Sequence, residues 1–264
     1  MEKVNVAIIG AGSAGLSALR RVKMQTDNYV LIDHEPLGTK CARTGCMPSK
    51  TLIHAANDYS RHRVYENEGI RGSQSLSPDI PAVLSYVRKI RDHFSEQMVN
   101  ATQDLVGDHF FAGKAEIIAP DQIRVNNMTF RVDHLIIATG SAATVPSAWH
   151  QFGDRILTSE TFFEQNDLPP RIGIIGLGPI GLEIGQALSR LGLAITGFDL
   201  HGHIGALTDP AVNETAVGII KNEFPIFLHT AAELEESENA LQIKAGDRET
   251  EVDAVIAAMG EDLS

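Results

Sequence analysis

Short apolar runs alternate with stretches of helical period along this chain. Val4-Asn5-Val6-Ala7-Ile8-Ile9 is a strand-like run ending at Gly10. A helix-period stretch follows to about Lys23, and a second run, Tyr29-Val30-Leu31-Ile32, stops at Asp33. The same order recurs later. Arg171-Ile172-Gly173-Ile174-Ile175 leads to Gly176, a helix-period stretch reaches Leu191, and Leu193 to Phe198 stops at Asp199. In between, Val83, Val87, Ile90, Phe94, Met98, Ala101 and Leu105 recur in steps of three and four, which predicts one long amphipathic helix over Pro81 to Val106 whose stripe packs on a core. From Phe110 to Arg131 the runs shorten to strand length, with breaks at Ala119-Pro120-Asp121 and Asn126-Asn127, and predict a small antiparallel insertion. Leu135-Ile136-Ile137-Ala138-Thr139-Gly140 then reads as a buried strand closing on glycine.

The two strand-helix-strand units are copies of one device. Gly10, Gly12, Gly15 and Asp33 each recur 166 positions later as Gly176, Gly178, Gly181 and Asp199. A GxGxxG between a strand and a helix, with an acid at the end of the next strand, fits dinucleotide binding at each position. The first glycine permits the tight turn, the second lets backbone approach a pyrophosphate, and the third allows close helix-to-strand packing. Unpaired N–H groups at the helix start attract the phosphates, and Asp33 and Asp199 would accept hydrogen bonds from ribose hydroxyls. The alternative for either copy alone is a turn that uses glycine for packing; two copies in register argue against it. An acid at Asp199 favours NAD over NADP, and the neighbouring His201 and His203 could soften that preference.

Ser141 to Pro170, with three prolines, reads as the crossing into a second domain, and the boundary is placed near Val145. Composition adds limits. With 43% hydrophobic and 21% charged residues the chain is of ordinary globular type. Its net charge of −12 opposes binding to a phosphate backbone, so no nucleic-acid partner is expected. Glu233, Glu235, Glu236 and Glu238 are expected to form a solvated turn or hairpin. No run approaches the ~18 apolar residues of a spanning helix, the apolar start lacks a clear cleavage site, and a cytoplasmic protein with no membrane partner is expected.

Only two cysteines occur, Cys41 and Cys46, too few for a secreted disulfide framework. They lie in Gly38-Thr39-Lys40-Cys41-Ala42-Arg43-Thr44-Gly45-Cys46-Met47-Pro48-Ser49-Lys50, ahead of a helix-like run from about Thr51 to Tyr59. In a regular helix the two thiols would stand about 7.5 Å apart along the axis, so a bridge between them needs an irregular turn, for which Gly45 and Pro48 are suited. Lys40, Arg43 and Lys50 supply the positive charge that favours thiolate chemistry. Two free cysteines that merely lie close remain the alternative from spacing alone.

A GTxCxxxGCxPSK segment between a GxGxxG with its acid and a second GxGxxGxE resembles the flavin-dependent pyridine nucleotide-disulfide oxidoreductases, the family of dihydrolipoamide dehydrogenase, glutathione reductase and mercuric reductase. The Pro-Ser-Lys ending is more similar to the dihydrolipoamide dehydrogenase and mercuric reductase branches. The resemblance implies an α/β fold with two Rossmann-like FAD- and NAD(P)-binding domains of glutathione-reductase type, residues 1–145 and 146–264, each with a three-layer parallel sheet and a small antiparallel insertion. It implies that Gly10, Gly12, Ser13, Ala14, Gly15 and Asp33 hold the ADP half of FAD, with Gly38, Thr39, Ala115, Thr139 and Gly140 lining the same cofactor. Cys46 would lie against the flavin and Cys41 would exchange with a small-molecule or protein-bound disulfide or dithiol. Lys50 would sit near the flavin, paired with Glu183, while Gly176, Gly178, Ile180, Gly181 and Asp199 would bind NAD. No metal site is implied.

The sequence departs from the family pattern at Leu37, where the first of two glycines is usual, and at Ala42-Arg43-Thr44 between the thiols. It also stops near the end of the second domain, before the family's Gly-Asp flavin segment and the dimerisation domain with its His-Glu pair. A monomer is therefore expected. The reading is the amino-terminal part of a dihydrolipoamide dehydrogenase-like oxidoreductase; the alternatives are a truncated nucleotide-binding or thiol-sensing module with little turnover, or a reductase of mercuric or glutathione type.

Overall fold

The structure, a computed structural model, describes residues 1–34 and 37–263. β1 (Glu2–Ile9), α1 (Ser13–Val22) and β2 (Tyr29–Asp33) follow the apolar pattern. A short α2 (Lys40–Arg43), α3 (Cys46–Ser60) and α4 (His62–Tyr65) lead to the long α5 (Ile80–Val106). Then come β3 (Phe110–Ala112), β4 (Ala115–Ala119), β5 (Gln122–Val125), β6 (Met128–Ile137) and β7 (Ser141–Ala143). The remainder runs β8 (Ile156–Leu157), α6 (Ser159–Phe162), β9 (Arg171–Ile175), α7 (Pro179–Arg190), β10 (Ala194–Phe198) and α8 (Pro210–Lys221). It closes with β11 (Ile226–Phe227), β12 (Glu233–Ser237), β13 (Ala240–Ala245), β14 (Arg248–Val252), β15 (Ala254–Ala257) and β16 (Glu261–Leu263).

Two compact units form, one from Met1–Arg43 and Arg91–Ala142, the other from Thr44–Ile90 and Ala143–Asp262. The first is built on a six-stranded sheet of order β3-β2-β1-β6-β5-β4. β3, β2, β1 and β6 run parallel, with Ile8 opposite both Leu31 and Ile136, and β6, β5 and β4 continue as an antiparallel meander. Strands covered on both faces read as nearly unbroken apolar runs, as Val4 to Ile9 does. One face carries Val6, Ile8, Leu31 and the α1 residues Leu16 and Leu19; the other carries Ala7, Ile32, Ile123 and Phe130.

Two expectations are corrected in this unit. Phe110–Ala112 does not belong to the antiparallel insertion but lies parallel on β2, because the chain returns from a helical crossover and such a strand adds to the free edge in parallel. The insertion is continuous with the sheet, since β6 is a single strand that pairs with β5 at its start and with β1 along most of its length. Its end is not buried either. Ile137 is 61% exposed, at the carboxyl end of a parallel strand, where open α/β sheets leave a crevice.

The second unit contains a parallel sheet of order β11-β10-β9-β15-β8 and a separate antiparallel sheet, β12-β13-β14. Its largest core joins Leu52 and Ala56 of α3 and Leu84 and Val87 of α5 with Ile172, Ile174, Ile184 and Leu188 around β9 and α7. Glu233, Glu235 and Glu236 of the acidic run lie in β12 of a hairpin and Glu238 just after it, all exposed, with Glu235 bound to Lys244 at 2.6 Å and Glu236 to Arg155 at 2.6 Å. At the base of the sheet Arg171 grips Asp253, and those hydrogen bonds hold the Asp253 carboxyl below its usual range. No described helix is long and apolar enough to cross a membrane.

Candidate functional sites

Each glycine motif sits where a strand hands over to a helix, and the same three steric situations occur in both units. Gly10 has φ +105° and a Cβ there would meet the Ala138 carbonyl oxygen at 2.1 Å; Gly176 has φ +96° and would meet that of Ala258 at 2.2 Å. A Cβ on Gly15 would strike the Gly10 oxygen at 1.8 Å, and one on Gly181 the Gly176 oxygen at 1.9 Å. The middle glycines differ. A Cβ on Gly12 or Gly178 would meet nothing within 4 Å. The first and third positions are thus glycine for the fold's own packing, whereas the second leaves room at a helix start, α1 or α7, capped by Gly12 or Gly178. The open space lies where donor N–H groups and the positive end of a helix dipole attract phosphate.

Both acids have a role that the spacing did not disclose. Asp33 Oδ2 accepts the Ala11 N–H at 2.6 Å, and Asp199 Oδ2 accepts the Leu177 N–H at 2.6 Å while its Oδ1 accepts that of His201 at 2.7 Å. Each carboxylate therefore fixes the glycine turn of its own unit as well as standing at the strand end.

The other first-unit residues divide. Thr139 adjoins the motif, its backbone nitrogen lying 3.2 Å from where a Gly10 Cβ would be, and Thr139 and Gly140 are exposed at the end of β6. Ser13 and Ala14 are exposed in the first turn of α1. Ala115 starts β4, two residues past Gly113, whose N–H bonds the Asp33 carbonyl at 2.8 Å. Thr39 is buried and caps α2, its hydroxyl accepting the Ala42 N–H at 3.2 Å, and Gly38 has φ +126° beside Arg43.

Cys41 is partly buried in α2, in the first unit, and Cys46 is the exposed first residue of α3, in the second. The helix expected from about Thr51 begins at Cys46 instead. Gly45 caps it and Pro48 occupies the first turn, where a missing N–H leaves no partner stranded. That arrangement puts Cys46 at a helix amino terminus. One turn along α3, Lys50 Nζ donates to Glu183 Oε1 of α7 at 2.5 Å. Seven residues further on both helices, Arg190 donates to Asn57 and is paired with Glu223, which also accepts from Gln186 at 3.1 Å. Between these polar links lie Leu52 and Ala56 of α3 and Ile184, Ala187 and Leu188 of α7.

In the second unit a cavity of about 570 Å³ opens over the second motif. Gly176, Gly178 and Ile180 form one wall and Asp199, His201 and His203 another, with Trp149 and the Ala257–Gly260 stretch completing it. Sequence reasoning missed the last segment. Its signal was present, because Ala254–Ala257 followed by Ala258-Met259-Gly260 echoes the strand closing on Ala138-Thr139-Gly140. The echo is structural too: Ala138 N–H bonds Ile9 O and Ala258 N–H bonds Ile175 O, both at 2.7 Å.

A family profile for pyridine nucleotide-disulphide oxidoreductases matches residues 4–264. The chain belongs to that family. Among relatives, it is 28% identical over 272 residues to a dihydrolipoyl dehydrogenase of Chlamydia pneumoniae, covering 100% of this chain and 58% of the relative. It is also 28% identical over 239 residues to a mercuric reductase of Bacillus cereus, covering 90% of this chain and 37% of the relative. Among solved structures, a Cu(II) complex of the HOCl-induced flavoprotein disulfide reductase RclA from Escherichia coli superposes with a TM-score of 0.80 at 22% identity, over 99% of this chain and 57% of that one. LpdA from Mycobacterium tuberculosis gives 0.82 at 19% identity, over 99% of this chain and 59% of that one. This oxidoreductase-family chain thus spans between 37% and 59% of the length of these relatives, and the structural likeness establishes the Rossmann-like α/β fold.

Proposed function

We propose that this chain supplies the FAD- and NAD-binding parts of a flavin-dependent NAD(P)H:disulfide oxidoreductase of dihydrolipoamide dehydrogenase type. The observation that carries this reading is the pair of open middle glycines. Gly12 and Gly178 are the motif glycines that packing does not require, so a ligand approaching each helix start accounts for them. Both turns are closed by an acid at the strand end where a ribose-binding acid stands in dinucleotide sites. FAD fits the first motif, with Ser13, Ala14, Thr139 and Gly140 exposed around it, and NAD fits the second, where the cavity meets Gly176, Gly178 and Asp199.

When bound, the flavin would supply two-electron transfer between a nicotinamide and a disulfide. The residues' own roles follow from chemistry. Reduction of a Cys41–Cys46 disulfide takes two electrons and two protons and yields two thiols. Cys41, as thiolate, would attack a substrate disulfide, break its S–S bond, expel one substrate thiolate and form a mixed disulfide, which Cys46 would then attack to release the second substrate thiol and restore the Cys41–Cys46 disulfide. Cys46, at the start of α3, would be the thiol kept beside the cofactor. Lys50, oriented by Glu183, would place a positive charge one turn beyond it.

Absorption of the purified chain with added FAD, before and after one equivalent of a strong dithiol, tests this reading. A flavin spectrum that gains long-wavelength absorbance on reduction, lost in Cys46→Ser and strengthened in Cys41→Ser, is the expected result. Spectra that are the same in both variants would overturn the thiol assignment. A colourless protein that still binds NAD would leave the second reading, a nucleotide-binding module.

A further inference from the structure

We propose that another cavity of the second unit, along the outer edge of its parallel sheet, binds a small multivalent oxyanion, a molecule carrying two or more phosphate or carboxylate groups. The cavity is open and of about 890 Å³. One wall is the outer strand β11 with its continuation, residues 226–230. The other is the turn between β13 and β14, residues 245–248, and Lys221 at the end of α8 stands beside them. The two walls approach at Thr230, whose hydroxyl oxygen lies 3.7 Å from where a Cβ on Gly246 would be.

Ion pairing singles this place out. Ala143–Asp262 contains six lysines and arginines. Four are bound to carboxylates: Arg155 to Glu236, Arg171 to Asp253, Arg190 to Glu223 and Lys244 to Glu235. The other two, Lys221 and Arg248, are exposed, have no ion-pair partner among the described residues, and both line this cavity. In a chain with 34 acidic residues against 22 basic ones, carboxylates are plentiful, so two unpartnered cations on one cavity mark it as a place that receives negative charge from outside the chain.

Arg248 is also prepared for such a ligand. Its guanidinium carbon lies over the Phe227 ring, 4.5 Å from the centre, a contact that restrains a long side chain and lowers the entropy lost on binding. The guanidinium donates to no acceptor among the described residues, which leaves its fork of N–H groups for a phosphate or carboxylate. The opposing charge sets the valence. Asp247, on the same turn, offsets one of the two cations, so a singly charged anion gains little, while a ligand of two or more charges can meet Lys221 and Arg248 together.

Calorimetric titration of the native chain with inorganic triphosphate, with citrate and with acetate at about 0.1 M salt tests the site. Triphosphate or citrate should bind, the tighter of the two naming a phosphate or a carboxylate source, and acetate should be at least about tenfold weaker. In Lys221→Gln/Arg248→Gln the affinity should fall about tenfold or more. Arg71→Gln/Lys89→Gln, which removes two exposed cations elsewhere in the same unit, should stay within about twofold of the native chain. Cooperative urea unfolding of both variants shows that they are folded. Failure of triphosphate and citrate to bind the native chain, acetate binding as tight as theirs, or a loss that is absent from the Lys221/Arg248 variant or equal in the two variants overturns the site. None of these outcomes bears on the glycine-motif cavity, whose reading stands or falls separately.

Discussion

At the residue scale, glycines with one name have different physical reasons, and this separates fold from function by mutation. Gly176→Ala places a methyl at a positive φ and 2.2 Å from a backbone oxygen, so it should destabilise the chain by about 2 kcal/mol or more. Gly178→Ala meets no protein atom, so its unfolding midpoint should stay within about 0.5 kcal/mol of the parent, while NAD⁺ quenching of Trp149 weakens at least about tenfold. Equal stability losses in the two variants would refute the division. The carboxylates show the converse case, one residue with two duties. Asp199→Asn should loosen the turn as well as weaken binding, because an amide oxygen accepts the Leu177 N–H less strongly than a carboxylate does.

Between helices, the pairing of α3 with α7 is written in two polar links with an apolar seam between. The Lys50–Glu183 link is largely exposed, at 59% and 38% of the side chains, and such pairs contribute at most about 1 kcal/mol. Its importance is orientation. Arg190 and Glu223 are better shielded, and Arg190→Met should cost about 1–2 kcal/mol in urea unfolding by leaving Glu223 without its strongest donor. Glu223 also gives the protein an acid-sensitive element. Hydrogen bonds from Arg190, then its charge, outweigh burial and hold the Glu223 carboxyl below the usual 4.5, so the folded state binds that proton less readily than the unfolded chain. The corresponding stability is complete above about pH 4.5 and is lost as pH falls through the lower native value. Glu223→Gln should therefore destabilise the chain at pH 6 and lose most of that deficit at pH 3. A deficit independent of pH would mean that Glu223 acts by packing alone.

For the whole molecule, net charge and duplication set the terms. A surface carrying −12 charges should give no retention on double-stranded DNA at about 0.1 M salt, where counterion release drives non-specific binding only of cationic surfaces. Measurable binding there would show a local basic patch that the total conceals. Duplication reaches beyond the two glycine motifs. The strand beside β1 or β9 is followed by a residue bonded to the last carbonyl of that first strand, Ala138 after β6 in one unit and Ala258 after β15 in the other. The copies diverge at the margins, one sheet extending through an antiparallel meander and the other keeping its meander separate.

What the amino-acid order determined by itself is everything governed by neighbours in the chain. Glycine spacing, the helical period of α5 and the apolar runs of β1, β2, β9 and β10 depend on local sterics and were legible, but the buried face of α5 was not, since Phe94 and Ala101 of the expected stripe are exposed while Leu84 and Thr102 are buried. The two-copy signal located the motifs, and the cysteine segment carried the family resemblance. Tertiary structure alone decided the rest. Whether Phe110–Ala112 joined a hairpin or the free edge of β2 depended on where the crossover delivered it, and the start of α3 at Cys46 depended on a cap and an in-turn proline that also fit a loop. The Lys50–Glu183 pair was implied by the resemblance, and what brings it together across 133 positions is the packing of two apolar helix faces through Leu52, Ala56, Ile184 and Leu188. Short-range preferences choose the elements; long-range burial chooses which of their polar residues meet.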